Sequence, residues 1–276
     1  MNSRSLMTAA ATIAALAVPV KASAQHDHGD HSHHPQLHVN PRWKECSFQL
    51  DAALTQSAWR QFTKEAGLVA YFRPLTDARP LGKGSFEVSL LQWKTGIDDH
   101  DEAWNDTFVH PDSAHWLFEG SGLAFPGLTA RIGVSDRMDV GVYFTKNPNA
   151  NYGFYGAQVQ RSFMPSGDAR WAAAARVSYQ SLFGPEDLSF SVYGVDALAS
   201  RTIALTSWAG VSPYAGVSTF LTTSHEKSAL VSLDDERQFG AQAMVGASVE
   251  IAGARLGAEY NVARVNSLSF KVGFGR

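Results

Sequence analysis

From Gly84 to Arg276 apolar residues recur at every second position. Ile132 and Val134 alternate with Arg131 and Gly133. After Ser135-Asp136-Arg137, Met138, Val140, Val142 and Phe144 alternate with Asp139, Gly141, Tyr143 and Thr145. Successive side chains of a strand point to opposite faces, so this spacing predicts a hairpin. Trp171, Ala173, Ala175, Val177 and Tyr179 stand against Arg170, Ala172, Ala174, Arg176, Ser178 and Gln180, and the stretch from Phe239 to Ile251 repeats the pattern. One face is apolar throughout, and the other is small or polar.

Ten strands are expected, near residues 84–94, 122–134, 138–146, 152–163, 169–182, 188–203, 209–223, 238–251, 255–263 and 267–276. Twelve is the alternative, if Gly67 to Arg73 and His115 to Gly120 each add one. A soluble sandwich with a wet outer face and a membrane barrel with its apolar face outward both produce such alternation. Segments of roughly 10 to 14 residues fit a tilted membrane strand, whereas sandwich strands average about half that. The connections also alternate between short turns (Ser135-Asp136-Arg137, Pro165 to Asp168, Ala252-Gly253-Ala254) and long loops (Thr95 to His115, Ser224 to Gln238), as they do in outer-membrane barrels. Tyr152, Tyr155, Trp171, Tyr179, Trp208 and Tyr214 lie near strand ends, where interfacial aromatics belong. The expected fold is all-β, an antiparallel transmembrane β-barrel of about ten strands with an N-terminal amphipathic helix.

That helix is expected over residues 51–67, where Leu54, Ala58, Trp59, Phe62 and Ala66 share one face and Gly67 stands as a stop. It would plug the barrel or cap it from the periplasmic side. Residues 1–24 read as a cleaved export signal: Arg4 is the basic start, Met7 to Val20 the apolar core, and Ala22-Ser23-Ala24 the small-x-small cleavage site. Residues 25–50 form a His-rich flexible tail, and residues 68–276 the barrel. Cys46 is the only cysteine, so no intramolecular disulfide forms, and Trp43-Lys44-Glu45 before it disfavours lipid anchoring there.

Only 18% of residues are charged, against about a quarter in an average soluble domain. Net charge is −3; removing Arg4 and Lys21, with no acidic residue lost, leaves 21 basic against 26 acidic residues, or −5. No basic stripe exists to neutralise a phosphate backbone, so nucleic acid is excluded as a partner. No mature stretch approaches the ~18 uninterrupted apolar residues of a spanning helix.

The run Tyr71-Phe72-Arg73-Pro74-Leu75, then Pro80-Leu81-Gly82 leading into Gly84-Ser85-Phe86-Glu87-Val88, resembles the first-strand region of a poorly characterised proteobacterial outer-membrane β-barrel protein family. Leu123 to Tyr143 and Val211-Ser212-Pro213-Tyr214-Ala215-Gly216-Val217 resemble that group's second hairpin and a later strand. The likeness covers most of Leu68 to Arg276 and implies a barrel, with no assigned substrate or catalytic residue. Leu268, Phe270, Val272 and Phe274 alternate up to the C-terminus, which resembles the assembly signal of outer-membrane barrels. Arg276 stands in phase where those proteins commonly end in Phe. Outer-membrane lipid, lipopolysaccharide and the barrel assembly machinery are the expected partners, and the bacterial outer membrane the expected location.

A ten-strand barrel is scarcely wider inside than its own side chains. Glu87, Arg131, Arg176, Glu250, Glu259 and Lys271 fall on the inward phase and carry both signs, which suits pairing across a filled lumen. His26, His28, His31, His33, His34 and His38, with Asp27 and Asp30 among them, offer imidazole and carboxylate ligands for a divalent transition metal such as Zn, Cu or Ni. A second cluster, Asp98-Asp99-His100-Asp101-Glu102 with His110, Asp112 and His115, lies on the longest loop and reads as an acidic solvated stretch or a hard-cation site. No nucleophile elbow or phosphate-binding glycine loop is visible. The leading expectation is a non-enzymatic barrel, structural or a narrow small-solute channel, with no firm cofactor. Metal handling through the His-rich tail comes second, and a rim-type surface hydrolase of the omptin kind third.

Overall fold

The computed structural model describes residues 49–98, 101–105, 107–108, 123–146, 152–163 and 170–276. The export signal, the six tail histidines, Cys46, the turn at Pro165 to Asp168 and the optional strand at His115 to Gly120 lie outside the described residues.

The alternating segments form ten long antiparallel strands: β1 (Phe86–Thr95), β2 (Leu123–Ser135), β3 (Met138–Lys146), β4 (Gly153–Phe163), β5 (Trp171–Phe183), β6 (Leu188–Arg201), β8 (Ala209–Glu226), β9 (Glu236–Ile251), β10 (Ala254–Val262) and β11 (Ser267–Gly275). A two-residue strand, β7 (Ile203–Ala204), lies beside the start of β8. Neighbours in sequence pair around the wall, β6 skips β7 to pair with β8, and β1 pairs with β11, which closes the sheet. The closing seam runs from Glu87 opposite Gly275 to Thr95 opposite Ser267. Arg276 extends it, exchanging both backbone hydrogen bonds with Phe86 at 2.8 and 2.9 Å. Closure leaves none of the ten long strands with an unpaired edge, a condition every membrane-spanning sheet has to meet.

The outward phase is apolar. Leu90, Leu128, Val142, Val177, Val217, Phe270 and Val272 are all exposed, and Leu90 lies between Leu128 and Val272 across two ladders. In water such a wall would be an aggregation surface; in lipid it is the expected face. Aromatics gather at both ends of this band. Phe144 stacks on Phe183 at 5.5 Å and Tyr179 meets Tyr193 at 5.1 Å towards the long-loop end. Phe86, Phe163, Trp171, Trp208 and Phe274 lie towards the short-turn end, where Arg161 and Arg201 sit over Phe163 and Trp171. Of the aromatics expected at the interfaces, Tyr155, Trp171, Tyr179 and Trp208 face outward. Tyr152 and Tyr214 are buried instead, because they fall on the inward phase.

The lumen is filled by the chain's own N-terminal part. Helix α1 (Gln56–Ala70) starts at Thr55, whose hydroxyl oxygen accepts from Ala58 N–H at 3.2 Å as an N-cap. It begins later than the apolar spacing predicts and runs three residues past Gly67. That glycine is no stop but a contact: a Cβ there would reach to 2.0 Å of Thr222 Oγ1 on β8. Leu54, Ala58, Trp59, Phe62 and Ala66 are buried as expected, but so are Thr63 and Glu65, since wall surrounds the helix on more than one face. Residues 65–76 are buried without interruption, and the chain then continues down the lumen to Gly84 and turns back into β1. Gly67 to Arg73 is therefore helix end and lumen strap, not an added strand. The helix lies inside the barrel, packed against β6, β8 and β9.

Candidate functional site

The filled lumen divides into an apolar half and a charged half. On the long-loop side Phe62 contacts Trp104 at 5.3 Å, Phe108 at 5.0 Å and Phe190 at 6.3 Å, and stacks on Trp59 at 5.6 Å. A short helix, α2 (Glu102–Asn105), closes over α1: Trp104 Nε1–H donates to Glu65 Oε2 at 2.8 Å, and Gln61 Nε2 donates to Asp101 Oδ1 at 2.5 Å. Asp101 also accepts from Ala103 N–H at 3.0 Å, so this member of the acidic loop cluster caps α2 and ties it to α1. Asp99, His100, His110, Asp112 and His115 lie outside the described residues. Among the described residues no cluster of His, Cys, Asp or Glu has metal-binding geometry.

Below this apolar cap the strap runs past ion pairs set on the wall. Tyr71 donates its hydroxyl hydrogen bond to Asp196 on β6, and Asp196 Oδ2 pairs with Arg176 Nη1 on β5 at 3.1 Å. Arg176 also donates to Gln160 Oε1 at 3.0 Å and to Thr76 Oγ1 on the strap at 3.2 Å. Gln160 Nε2 in turn donates to the Asp77 carbonyl at 3.3 Å. On the far wall Ser248 donates to Asp77 Oδ2 at 2.5 Å, and lower down Leu81 N–H donates to Asp139, which pairs with Arg131 at 3.1 Å. Buried charges need partners, and Arg176 with Asp196 and Arg131 with Asp139 supply them to each other.

Arg73 is the cation at the centre of the strap and is 1% exposed. Among the described residues it makes no ion pair. Its guanidinium turns back on the last turn of α1, donating to the carbonyls of Leu68 at 2.5 Å and Tyr71 at 3.0 Å, with Val69 at 3.4 Å. The final carbonyls of a helix have no intrahelical partner and carry its negative dipole end, so a cation there satisfies both demands. Nε donates outward to Asn261 Oδ1 at 3.0 Å, Asn261 donates to Glu259 at 2.9 Å, and Glu259 accepts from Tyr214 at 2.9 Å. One relay thus joins the strap to β10 and β8.

Of the six residues expected to line the lumen, Glu87, Arg131, Arg176, Glu259 and Lys271 are buried inside it. Glu87 pairs with Lys271 at 2.5 Å across the closing seam and with Arg255 at 3.3 Å. Glu250 shares the inward phase but sits at the end of β9 with its side chain 60% exposed, so it belongs to the rim. There it reaches Arg255 at 3.7 Å, the outermost link of the same chain of charges. Sequence reading missed Asp139, Asp196, Arg255 and Arg73. The first two sit at inward positions between apolar outward residues and were findable by phase. Arg73 was not, because its strap carries no alternation.

No family model matches the chain, and no curated protein matches it in sequence. Solved structures with a related outline exist. An outer-membrane channel from Pseudomonas putida is 12% identical over 75% of this chain and all of that one, with a TM-score of 0.44. The β-domain of the Bordetella autotransporter BrkA is 15% identical, covering 70% of this chain and 98% of that one, TM-score 0.39. LpxR from Salmonella typhimurium is 11% identical, covering 69% and 99%, TM-score 0.34. At these levels of identity and overlap, function has to be read from this chain's own residues.

Proposed function

We propose that this protein is a non-enzymatic outer-membrane barrel whose lumen is occluded by its own N-terminal chain, and that it serves as a structural anchor for what it carries on the long-loop face. The observation that supports this reading is Arg73, buried in mid-lumen and hydrogen-bonded both to the plug's own carbonyls and to Asn261 on the wall. A narrow open channel would need that space, and the inward titratable groups described above are spent on one another. The apolar outward band and its two aromatic girdles support the membrane placement. Lipid, lipopolysaccharide and the assembly machinery are the partners this reading implies.

The test is planar-bilayer conductance of the refolded mature protein. A silent bilayer containing heat-modifiable, folded protein is expected. Steady conductance by the unaltered protein would overturn the occluded reading in favour of a small-solute channel.

A second reading, metal handling, is favoured by the donor set itself: six histidines and two aspartates within residues 26–38. Deleting residues 25–40 is then expected to change cellular sensitivity to Zn, Cu or Ni while leaving the barrel folded. An unchanged sensitivity to all three metals would rule it out.

A further inference from the structure

The strap has a direction. Residues 49–83 cross the barrel once, and their first residues are tied to the mouth with the long loops. Leu50 N–H donates to Asp187 Oδ2 at 3.0 Å on the β5–β6 loop, and Leu50 bridges to Phe108 on the β1–β2 loop. Asp51 N–H donates to the Thr107 carbonyl at 3.1 Å on that same loop. Gln56 Nε2 donates to the Asp234 carbonyl at 3.2 Å on the β8–β9 loop, and Arg264 on the β10–β11 loop pairs with Glu65 at 2.8 Å. The strap's last residues are tied to the opposite end. Leu81 meets Asp139, and Gly84 N–H donates to the Gly133 carbonyl at 2.8 Å beside the two-residue β2–β3 turn. The same end holds Gly275 and Arg276.

In outer-membrane barrels the long loops face outward and the short turns face the periplasm. We infer that the chain upstream of Gln49 continues on the exterior side of the membrane, so that this protein presents its own N-terminal segment outside the cell. This rests on the outer-membrane placement proposed above. The two ends of the barrel domain then lie on opposite sides of the membrane: Arg276 is periplasmic, and Gln49 is at the outer mouth.

Accessibility of single cysteines in intact cells tests this directly. The native Cys46 is replaced by Ser, and a new cysteine is placed at Gln36→Cys in the segment, Lys227→Cys in the β8–β9 loop or Asp136→Cys in the β2–β3 turn; Lys227 and Asp136 are both exposed. Each full-length variant is checked for heat-modifiable folding and treated with a membrane-impermeant maleimide before and after permeabilisation. The inference predicts that Gln36→Cys and Lys227→Cys are labelled in intact cells, and that Asp136→Cys is labelled only after permeabilisation. Labelling of Gln36→Cys that requires permeabilisation or denaturation, with Lys227→Cys labelled in intact cells, overturns it. Lys227→Cys closed and Asp136→Cys open would overturn it through the sidedness. The occluded reading is judged separately, by conductance, and can survive either result.

Discussion

Arg73 Nε donates to Asn261 Oδ1 at 3.0 Å, joining a fully buried cation on the strap to strand β10. The guanidinium is held by helix-end carbonyls and by the side-chain amides of Asn261 and, at 3.4 Å, Gln242, so its removal strips α1 of its C-terminal cap and the strap of its wall contacts together. Hydrogen bonds to a charged group contribute about 1.5–3 kcal/mol. Arg73→Met, which keeps most of the bulk, is expected to lower stability by at least that much, read as a lower urea midpoint by tryptophan fluorescence. An unchanged midpoint would show that the cap does not hold the plug.

The pair of Asp196 with Arg176 predicts an asymmetry between single and double substitutions. Asp196→Asn leaves Arg176 with an uncompensated buried charge and Tyr71 with a weaker acceptor, at a cost of about 3–5 kcal/mol. Adding Arg176→Met to that variant removes the orphaned charge and is expected to recover part of the loss. Additive losses in the double variant would mean that the two side chains are not energetically coupled.

Gly194 on β6 is where the Tyr71 ring presses on the wall; a Cβ there would stand 2.6 Å from Tyr71 Oη and 2.6 Å from Ser178 Oγ. Tyr71 is held by its bond to Asp196 and cannot swing aside cheaply. Gly194→Val should therefore displace the strap, costing about 1–3 kcal/mol as overpacking and giving channel openings where the unaltered protein is silent. A silent, equally stable variant would show that the strap yields without opening the lumen.

The lipid face predicts a depth dependence. Leu90 lies mid-strand and is 67% exposed, whereas Phe86 begins β1 at the short-turn girdle. Leu90→Arg is expected to destabilise by about 2–4 kcal/mol in refolding into lipid vesicles, and Phe86→Arg by about 0–1 kcal/mol. Equal effects at both positions would place the apolar band elsewhere on the wall.

Much of this architecture is legible in the residues. All ten long strands fall within three residues of the positions predicted by period two, because a wall with lipid on one side and a filled lumen on the other leaves each strand little choice of phase. The same phase placed Glu87, Arg131, Arg176, Glu259 and Lys271 in the lumen, and it also marks Asp139, Asp196 and Arg255, which occupy inward positions of β3, β6 and β10. Glu250 shows the limit of that logic. Phase assigns a side chain to a face of the sheet but not to a depth, and at the end of β9 the inward face is already solvated.

The plug was only half legible. Apolar spacing from Leu54 to Ala66 marks an amphipathic helix, and such a helix is compatible with a periplasmic cap, a mouth cover or a lumen plug. Tyr71 to Gly82 has no period at all, because its side chains contact wall residues in several directions and no single face repeats. Its resemblance to a first-strand region fits only its far end, where Gly84 leads into β1.

By itself, then, the amino-acid sequence determined the strand phase and the apolar wall and left the count at ten or twelve, since phase and wall follow from a local period imposed by two different surroundings on the two faces of one sheet. Only the tertiary structure decided that the lumen is closed and from which side the plug comes. Those depend on contacts between residues far apart in the chain, such as Tyr71 with Asp196 and Leu50 with Asp187, and no local period records them.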